Sequence, residues 1–108
     1  MIEVNEENFA EEVKGREGIV VVDFYAEWCG PCKMVAHVLE DLVSDVGWTD
    51  TNAEVVKVNV DASPELTAEH NVRGIPAIVF YKDGELLEDR ITGSTQKQKI
   101  LDIISNNL

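Results

Sequence analysis

The sequence predicts an α/β domain in which a central mixed sheet of about five strands is flanked by helices on both faces. Residues 19–25 are apolar at odd and even positions alike, which is the pattern of a strand covered on both sides. Residues 31–46 then repeat apolar side chains at intervals of three and four, as in a long amphipathic helix. Residues 55–60 return to β-branched side chains, so the three segments predict a βαβ unit.

Length and composition indicate one ordinary globular domain. The chain has 108 residues, so we expect a single domain over residues 1–108. Its 44% hydrophobic and 28% charged residues exclude a disordered or collagen-like chain. Nine Lys and Arg against 21 Asp and Glu give a net charge of −12, which repels phosphate backbones and anionic lipid headgroups. We therefore expect neither nucleic acid nor a membrane surface as a partner.

The first residues of the sequence do not resemble an export signal. Residues 1–7 lack both the basic and the apolar region of a signal peptide, and no apolar run is long enough to span a bilayer. We therefore expect a cytoplasmic protein.

Cap and turn residues place helices on either side of the first predicted strand. Asn5 followed by two glutamates is typical of a helix N-cap, and Gly15 is expected to end this short helix. The turn-forming residues 47–52 follow the long helix and include Trp48, which we expect at the surface or as a cap residue. The buried face of the long helix is predicted to hold Met34, Val35, Val38, Leu39, Leu42, Val43 and Val46.

The segment after the second strand begins with a helix signal and continues as a hairpin. Ser63 followed by a proline predicts the N-terminus of a helix that runs to about residue 71. Residues 77–81 and 85–91 are expected to pair antiparallel around an Asp83-Gly84 turn.

A terminal helix completes the predicted domain. Gly93 breaks the chain after the hairpin, and Thr95 and Gln98 have the spacing of a capping box. The buried face of this helix is predicted to hold Ile100, Leu101, Ile103 and Ile104.

The two cysteines form the motif that carries chemistry. Cys29 and Cys32 lie between a buried strand and the following helix, at a spacing compatible with a disulfide. A ring this small contributes little loop entropy to stability, so reversible redox chemistry explains the pair better than a structural staple. Cys29 is expected at the helix N-terminus, where the dipole favours a thiolate, and is predicted to be the nucleophile. Cys32 lies one turn inside, where burial keeps a thiol protonated, and is predicted to be the resolving thiol.

A lone carboxylate interrupts the first strand. Asp23 has apolar neighbours on both sides, and an unpaired buried carboxylate costs several kcal/mol, so we expect it to be partly neutralised or paired. We interpret it as a base with a raised pKa that takes the proton from Cys32; a strand-end or solvated aspartate is the alternative. Lys57 also lies between apolar strand residues and is the candidate counter-charge across the sheet, although a lysine that reaches water fits equally well.

A metal site is a weak alternative for the cysteines. Zinc needs four ligands, and the chain offers only Cys29, Cys32, His37 and His70, with neither histidine at a finger-like spacing. An iron–sulfur cluster would need ligands from a second chain. We therefore expect no metal and no other cofactor.

A binding module is the alternative from a different functional class. In that case the rim of the motif, formed by Trp28, Ile75, Pro76 and Gly93, docks a partner protein without any redox step. Replacing both cysteines by serine separates the two hypotheses, because only an enzyme would lose its function.

The sequence resembles the thioredoxin family over nearly the whole chain. Residues 22–34 resemble the family's active-site segment, residues 73–76 its cis-proline loop, and residues 82–85 its hairpin. The resemblance implies a thioredoxin fold and a disulfide reductase of broad specificity. It also implies a cis Ile75–Pro76 bond, with Pro76 packed against the disulfide, and a pairing of Asp23 with Lys57. The residues that it implies for substrate binding are Trp28, Gly30, Pro31, Gly74, Ile75, Pro76 and Gly93.

The resemblance further implies partners and shows two departures. Disulfide-containing proteins are the implied substrates, a flavin- or ferredoxin-dependent reductase is the implied electron donor, and the implied state is a monomer. The Gly30-Pro31 pair accompanies reducing members of the family. Tyr25 stands where many members have a tryptophan, and His37 stands where a proline usually kinks the helix. We expect an unbroken, straighter helix through a partly exposed His37 that has no catalytic role.

Overall fold

The computed structural model describes residues 1–108 and contains one five-stranded sheet in the order β1-β3-β2-β4-β5. β1, β3 and β2 run parallel, whereas β4 pairs antiparallel with both β2 and β5. The predicted α/β architecture with a mixed sheet is confirmed. The strands are β1 (Ile2–Val4), β2 (Ile19–Tyr25), β3 (Glu54–Asn59), β4 (Ala77–Lys82) and β5 (Glu85–Thr92); the α-helices are α1 (Gly30–Val43), α2 (Pro64–Glu69) and α3 (Lys97–Asn106).

The central strand β2 separates two hydrophobic layers. Alternate side chains of a strand point to opposite faces, and here Val20, Val22 and Phe24 pack in the layer that includes Leu66 of α2. Ile19 and Val21 pack in the other layer, against α1 and α3. Asp23 shares the face of Ile19 and Val21, because it has the same parity along the strand. The α1 side of the sheet is therefore the side on which a carboxylate is buried.

The N-terminal segment contains a strand that the sequence did not predict. β1 has only three residues, which is too short for its hydrophobic pattern to be distinguished from a loop. The expected first helix follows it but begins later than predicted, because Phe9 rather than Asn5 is its N-cap residue. Asn5 accepts hydrogen bonds through Oδ1 from the amides of Glu7 and Asn8, at 2.9 and 3.2 Å. The helical segment Ala10–Lys14 is π-helical and stops at Gly15, which confirms the predicted end.

Helix α1 is shorter than predicted, and two of its expected core residues are exposed. The helix ends at Val43, Met34 is 68% exposed, and Val46 lies beyond the helix in solvent. The fully buried stripe consists of Val35, Leu39 and Leu42. Met34 leaves this stripe because neighbouring helix residues are about 100° apart around the axis.

Trp48 packs further inward than a surface residue. It starts a 3₁₀ turn, Trp48–Thr51, and its half-buried side chain packs against the hydrophobic layer beneath α1. Of the two predicted positions, a fully exposed surface residue is therefore wrong, whereas a residue that caps the hydrophobic layer agrees with this packing. The loop after α1 is also tied to α3, because Lys97 Nζ lies 3.1 Å from Asp41 Oδ2 and 3.0 Å from Asp45 Oδ1.

Two predicted helix caps are absent, and one is replaced from a distant part of the chain. Ser63 precedes α2 as expected, but its buried Oγ has no hydrogen-bond partner within the protein. Glu6 Oε2 instead accepts from the amides of Glu65 at 2.7 Å and Leu66 at 3.2 Å. A carboxylate at this end is also favoured by the helix dipole.

The predicted capping box of the terminal helix does not form. α3 begins at Lys97 after an extended Gln96, and the side chain of Gln98 donates to Asp102 at 2.8 Å rather than reaching back. The predicted apolar face is partly correct, since Ile100 and Ile104 are buried while Leu101 and Ile103 are half-buried.

The hairpin between β4 and β5 forms as predicted. Asp83 and Gly84 have φ values of 50° and 85°, the signature of a two-residue turn that matches strand twist. Gly84 packs against the Lys14 carbonyl oxygen so closely that a Cβ atom would collide with it. Asp83 Oδ1 accepts from the Gly18 amide at 2.7 Å and so ties the turn to the start of β2. None of the helices combines the length and apolar composition needed to cross a bilayer.

Candidate active site

The two cysteines form a disulfide at the N-terminus of α1. β2 ends at Tyr25, and a turn brings the Cys29 amide within 3.2 Å of the Ala26 carbonyl oxygen. Cys29 has an extended backbone (φ −89°, ψ 109°) and is the N-cap residue, with a proline in the first turn behind it. The Cα atoms of Cys29 and Cys32 are 5.2 Å apart, which is within the normal range for a disulfide.

Position in the helix, rather than exposure, distinguishes the two cysteines. Cys29 is 5% and Cys32 is 4% exposed in the disulfide form, so the expected difference in exposure is absent. The reason is that both sulfurs lie in one small cluster, against which Tyr25, Val60 and Ile75 pack. What distinguishes Cys29 is its role in the helix cap: its sulfur accepts a hydrogen bond from the Cys32 amide at 3.2 Å, as an N-cap side chain does.

Asp23 is buried on the α1 side of the sheet. It is 4% exposed, and its Oδ1 atom has no hydrogen-bond partner within the protein. Burial raises the pKa of this carboxyl to about 7, and the positive charge of Lys57 acts in the opposite direction. Asp23, Cys32 and Lys57 line the same cavity of about 310 Å³. A buried carboxyl, one of the two cysteines and a cation are therefore gathered around one cavity.

Lys57 lies next to Asp23 in the sheet without forming a direct ion pair. The two residues are Cα partners between β2 and β3, yet no ion pair within 4.0 Å includes Lys57. Its half-buried side chain places Nζ 5.3 Å from the centre of the Tyr25 ring. The sequence predicted neither this cation–π contact nor the part that Glu3 plays beside it. The Tyr25 hydroxyl donates to Glu3 Oε1 at 2.5 Å.

Trp28 stands at the rim of the disulfide, beside a second cavity. It is 71% exposed, and its Nε1 donates to Asp61 Oδ2 at 2.8 Å. Sequence analysis missed Asp61, although it follows β3, and the carboxyl ends of the parallel strands β2 and β3 meet at one edge of the sheet. The second cavity has a volume of about 200 Å³; it is lined by Trp28, Val60, Thr67, Val72, Arg73, Gly74 and Ile75.

The loop before β4 brings the remaining predicted residues to the same end. The Ile75–Pro76 bond is cis, Pro76 is buried, and Ile75 packs against the cysteine cluster. The Gly93 amide donates to the Pro76 carbonyl at 2.8 Å, so the chain after β5 is fixed to this loop. Gly30 and Pro31 are exposed in the first turn of α1.

Neither histidine joins the cysteines. The His37 side chain is 81% exposed, its Nδ1 is 4.0 Å from Glu40 Oε2, and α1 continues without interruption through this position. His70 is buried on the other side of the molecule's sheet, against Phe9 and Phe24. No three His, Cys, Asp or Glu side chains are grouped so that they could hold a metal ion.

Comparison with known proteins agrees with this arrangement. A family model described as Thioredoxin matches residues 1–106. The chain is 37% identical to a thioredoxin of Staphylococcus haemolyticus over 108 residues, which are 100% of this chain and 98% of that protein. It is 34% identical to a thioredoxin of Rickettsia bellii over 105 residues, or 97% of this chain and 96% of that protein.

A solved structure extends the similarity to the fold. An asparagine-to-glutamine variant of thioredoxin from Halobacterium salinarum matches with a TM-score of 0.83 and 32% identity, covering 97% of this chain and 88% of that one. The predicted thioredoxin fold is confirmed. The chain therefore belongs to the thioredoxin family and is a thiol–disulfide oxidoreductase that reduces protein disulfides, with a reductase as the partner that restores its dithiol.

Proposed function

We propose that Cys29 is the nucleophile of this reductase and that Cys32 is its resolving thiol. The observation that carries this proposal is the position of each cysteine: Cys29 caps α1, whereas Cys32 lies inside the first turn and lines the cavity of Asp23. A thiolate at a helix N-cap is stabilised by unpaired amides and by the helix dipole. A thiol beside a buried carboxyl can stay protonated until the second displacement, in which the carboxylate accepts its proton.

The reaction consists of two displacements. In the first, the Cys29 thiolate attacks one sulfur of the substrate disulfide; a Cys29–substrate disulfide forms, the substrate disulfide breaks, and the released substrate thiolate takes up a proton. In the second, the Cys32 thiol gives its proton to the Asp23 carboxylate, and its sulfur attacks Cys29 Sγ. The Cys29–Cys32 disulfide forms while the second substrate thiolate leaves. Two electrons pass from the dithiol to the substrate, and the reductase later returns them.

Asp23 is the base of the second displacement. Its pKa of about 7 allows the carboxyl to accept and release a proton at neutral pH. The positive charge of Lys57, which lines the same cavity, lowers the pKa of Asp23 and so favours the carboxylate. Lys57 acts on Asp23 through its electric field rather than by direct contact, since no ion pair within 4.0 Å links the two residues.

An extended segment of the substrate docks across the rim of the disulfide. The backbone of Ile75 makes no hydrogen bond within the protein and can pair with such a segment as an added strand. The exposed indole of Trp28 supplies apolar contact. Glycines keep the surface low enough for a protein chain to approach the sulfur. The docking surface comprises Trp28, Gly30, Pro31, Gly74, Ile75, Pro76 and Gly93.

The protein acts as a monomeric single domain over residues 1–108. Support comes from two hydrophobic layers that both belong to one sheet, and from a net charge of −12 that opposes self-association. A flavin-dependent or ferredoxin-dependent reductase supplies its electrons. It works in the cytoplasm, where dithiols are kept reduced.

Trapping the first intermediate tests the assignment of the cysteines. Cys32→Ser removes the resolving thiol, so the variant should accumulate a mixed disulfide with a disulfide-linked test protein. Cys29→Ser is the matched control and should accumulate none. Equal trapping by both variants, or trapping through Cys32 alone, would overturn the roles.

A turnover assay with the same test protein identifies the electron donor. It also distinguishes a reductase from a binding module. Reduction of the test protein is followed with a flavin-dependent reductase and NADPH, and separately with a ferredoxin-dependent reductase and reduced ferredoxin. Turnover with one donor and not the other identifies the partner class. The double-serine variant should lose all activity; retained function would instead support the docking module.

A further inference from the structure

We infer that Tyr25 is a positioning residue. Its hydroxyl donates a hydrogen bond to Glu3 and its ring contacts the Lys57 ammonium, so that Glu3 does not pair with Lys57 and the positive charge remains available to Asp23. The link to the reaction rate rests on the proposed role of Asp23 as the base. The contacts themselves do not depend on that role.

Three charged residues lie in one row across the parallel strands. Glu3 of β1 is the Cα partner of Lys57 of β3, and Lys57 is in turn the partner of Asp23 of β2. Partnered residues of neighbouring strands project to the same face of a sheet. One lysine is therefore placed between two carboxylates that can compete for it.

Tyr25 resolves this competition through two contacts. It lies two residues after Asp23 and so shares its face of β2. The phenol donates to Glu3 Oε1 at 2.5 Å, and Lys57 Nζ lies 5.3 Å from the ring centre, within the range of a cation–π contact. The pKa of Tyr25 is raised to about 12, first by burial and then by the hydrogen bond to Glu3, so the hydroxyl stays a donor at neutral pH.

The charge of Lys57 acts on a carboxyl that burial makes hard to ionise. Burial raises the pKa of Asp23 to about 7, and Lys57 keeps it from rising further. A Glu3 side chain released from Tyr25 could pair with Lys57 and cancel much of that charge. Asp23 would then be protonated over a wider range of pH.

The other groups around this cavity are left unchanged by Tyr25→Phe and Glu3→Gln, the two substitutions that test the inference. β4 places the apolar Ile78 opposite Asp23 in the sheet. The remaining titratable or charged residues that line the cavity are Glu27, Cys32, Lys33 and Glu40, together with Met1.

A titration of Asp23 in two backgrounds tests the inference. Tyr25→Phe keeps the ring for Lys57 and removes only the hydroxyl, and Glu3→Gln keeps an acceptor for Tyr25 and removes only the charge. The carboxyl carbon of Asp23 is followed by NMR from pH 4 to 10 in the oxidised protein, in which the two disulfide-bonded cysteines do not titrate. Tyr25→Phe should raise the midpoint by about half a pH unit, the scale of one partly screened charge pair. In the Glu3→Gln background the same substitution should leave the midpoint unchanged.

Glu27→Gln provides the matched control, because Glu27 lines the same cavity but is not the hydrogen-bond partner of the Tyr25 hydroxyl. Its effect on the midpoint should add to that of Tyr25→Phe. An unchanged or lowered midpoint in Tyr25→Phe, or an equal rise with and without the Glu3 charge, would overturn the inference. The test stays separate from the proposed function, since Asp23 can titrate as described here even if Asp23→Asn leaves the rate of disulfide reduction unaffected.

Discussion

Asp23 and Cys32 line one cavity on the α1 side of the sheet, and Cys29 lies outside its lining. The disulfide therefore has two unequal ends. Cys29 is the N-cap residue of α1, whereas Cys32 shares its cavity with a buried carboxyl whose pKa is about 7. This inequality gives the two cysteines different chemistry although their exposed fractions are almost the same.

Alkylation of the reduced protein measures the inequality directly. We expect iodoacetamide near pH 7 to label Cys29 about tenfold faster than Cys32, because the helix N-cap favours the thiolate. Peptide mass spectrometry after short reaction times gives both rates. The two single serine variants are the controls, each reporting one thiol alone. Equal labelling of both cysteines would contradict the assignment.

Removing the buried Asp23 carboxyl should raise the free energy of unfolding and lower the rate of disulfide exchange. The pKa of Asp23 rises from an ordinary value of 3.8 to about 7 in the folded protein. A group that ionises more easily when unfolded favours unfolding once the pH exceeds its unfolded pKa. Stability of the oxidised wild type should therefore fall between pH 4 and 7, by up to about 4 kcal/mol at about 1.4 kcal/mol per pH unit.

Denaturant unfolding of wild type and Asp23→Ala at several pH values checks this expectation. The variant should lack the decline between pH 4 and 7 and should be the more stable protein at pH 8. Its rate of disulfide exchange at neutral pH should fall, because Cys32 has lost its base. A variant that loses stability and keeps its rate would show that Asp23 has a structural role instead.

The sequence predicted those elements whose signal is local. The apolar run at 19–25, interrupted only by Asp23, matches β2 in full, and the β-branched run at 55–60 is displaced from β3 by one residue. Errors arose where a contact joins distant segments. Glu6 caps α2 across nearly 60 positions, which no spacing rule near Ser63 indicates. Met34 was misplaced because an apolar residue beside a narrow buried stripe looks the same as a residue within it.

The candidate site shows the same division. Cys29 and Cys32 could be found from their spacing, and Asp23 from a single charge in an apolar strand. The contact between Tyr25 and Glu3 could not be found, because β1 was not recognised and the contact joins two strands that are not adjacent. Asp61 was also missed, since its hydrogen bond to Trp28 depends on how two loops meet.

A buried histidine and tyrosine should stabilise the opposite side of the sheet. His70 Nδ1 lies 2.8 Å from the Leu66 carbonyl, which can only accept, so Nδ1 donates there. In the tautomer with its proton on Nδ1, Nε2 accepts from the Tyr81 hydroxyl at 2.6 Å. Tyr81→Phe leaves Nε2 buried without a donor and should lower the free energy of unfolding by about 1–3 kcal/mol.

Urea unfolding at pH 8 measures this cost. Tyr25→Phe is the matched control, because it removes a hydroxyl whose partner Glu3 is exposed, and it should cost less than about 1 kcal/mol. Equal losses in the two variants would mean that the His70 contact contributes no more than a surface hydrogen bond.

His37 should have no role in the reaction, although it lies on the helix that begins with the two cysteines. Its side chain is 81% exposed, and the nearest carboxylate, that of Glu40, is 4.0 Å away. His37→Ala should therefore leave the rate of disulfide reduction and its pH profile nearly unchanged. The comparison is informative because the pKa of Asp23 is about 7, so an inflection near that pH has to be assigned to one residue by substitution. If His37→Ala removed an inflection near pH 7 and Asp23→Asn kept it, the histidine would be the group coupled to the dithiol.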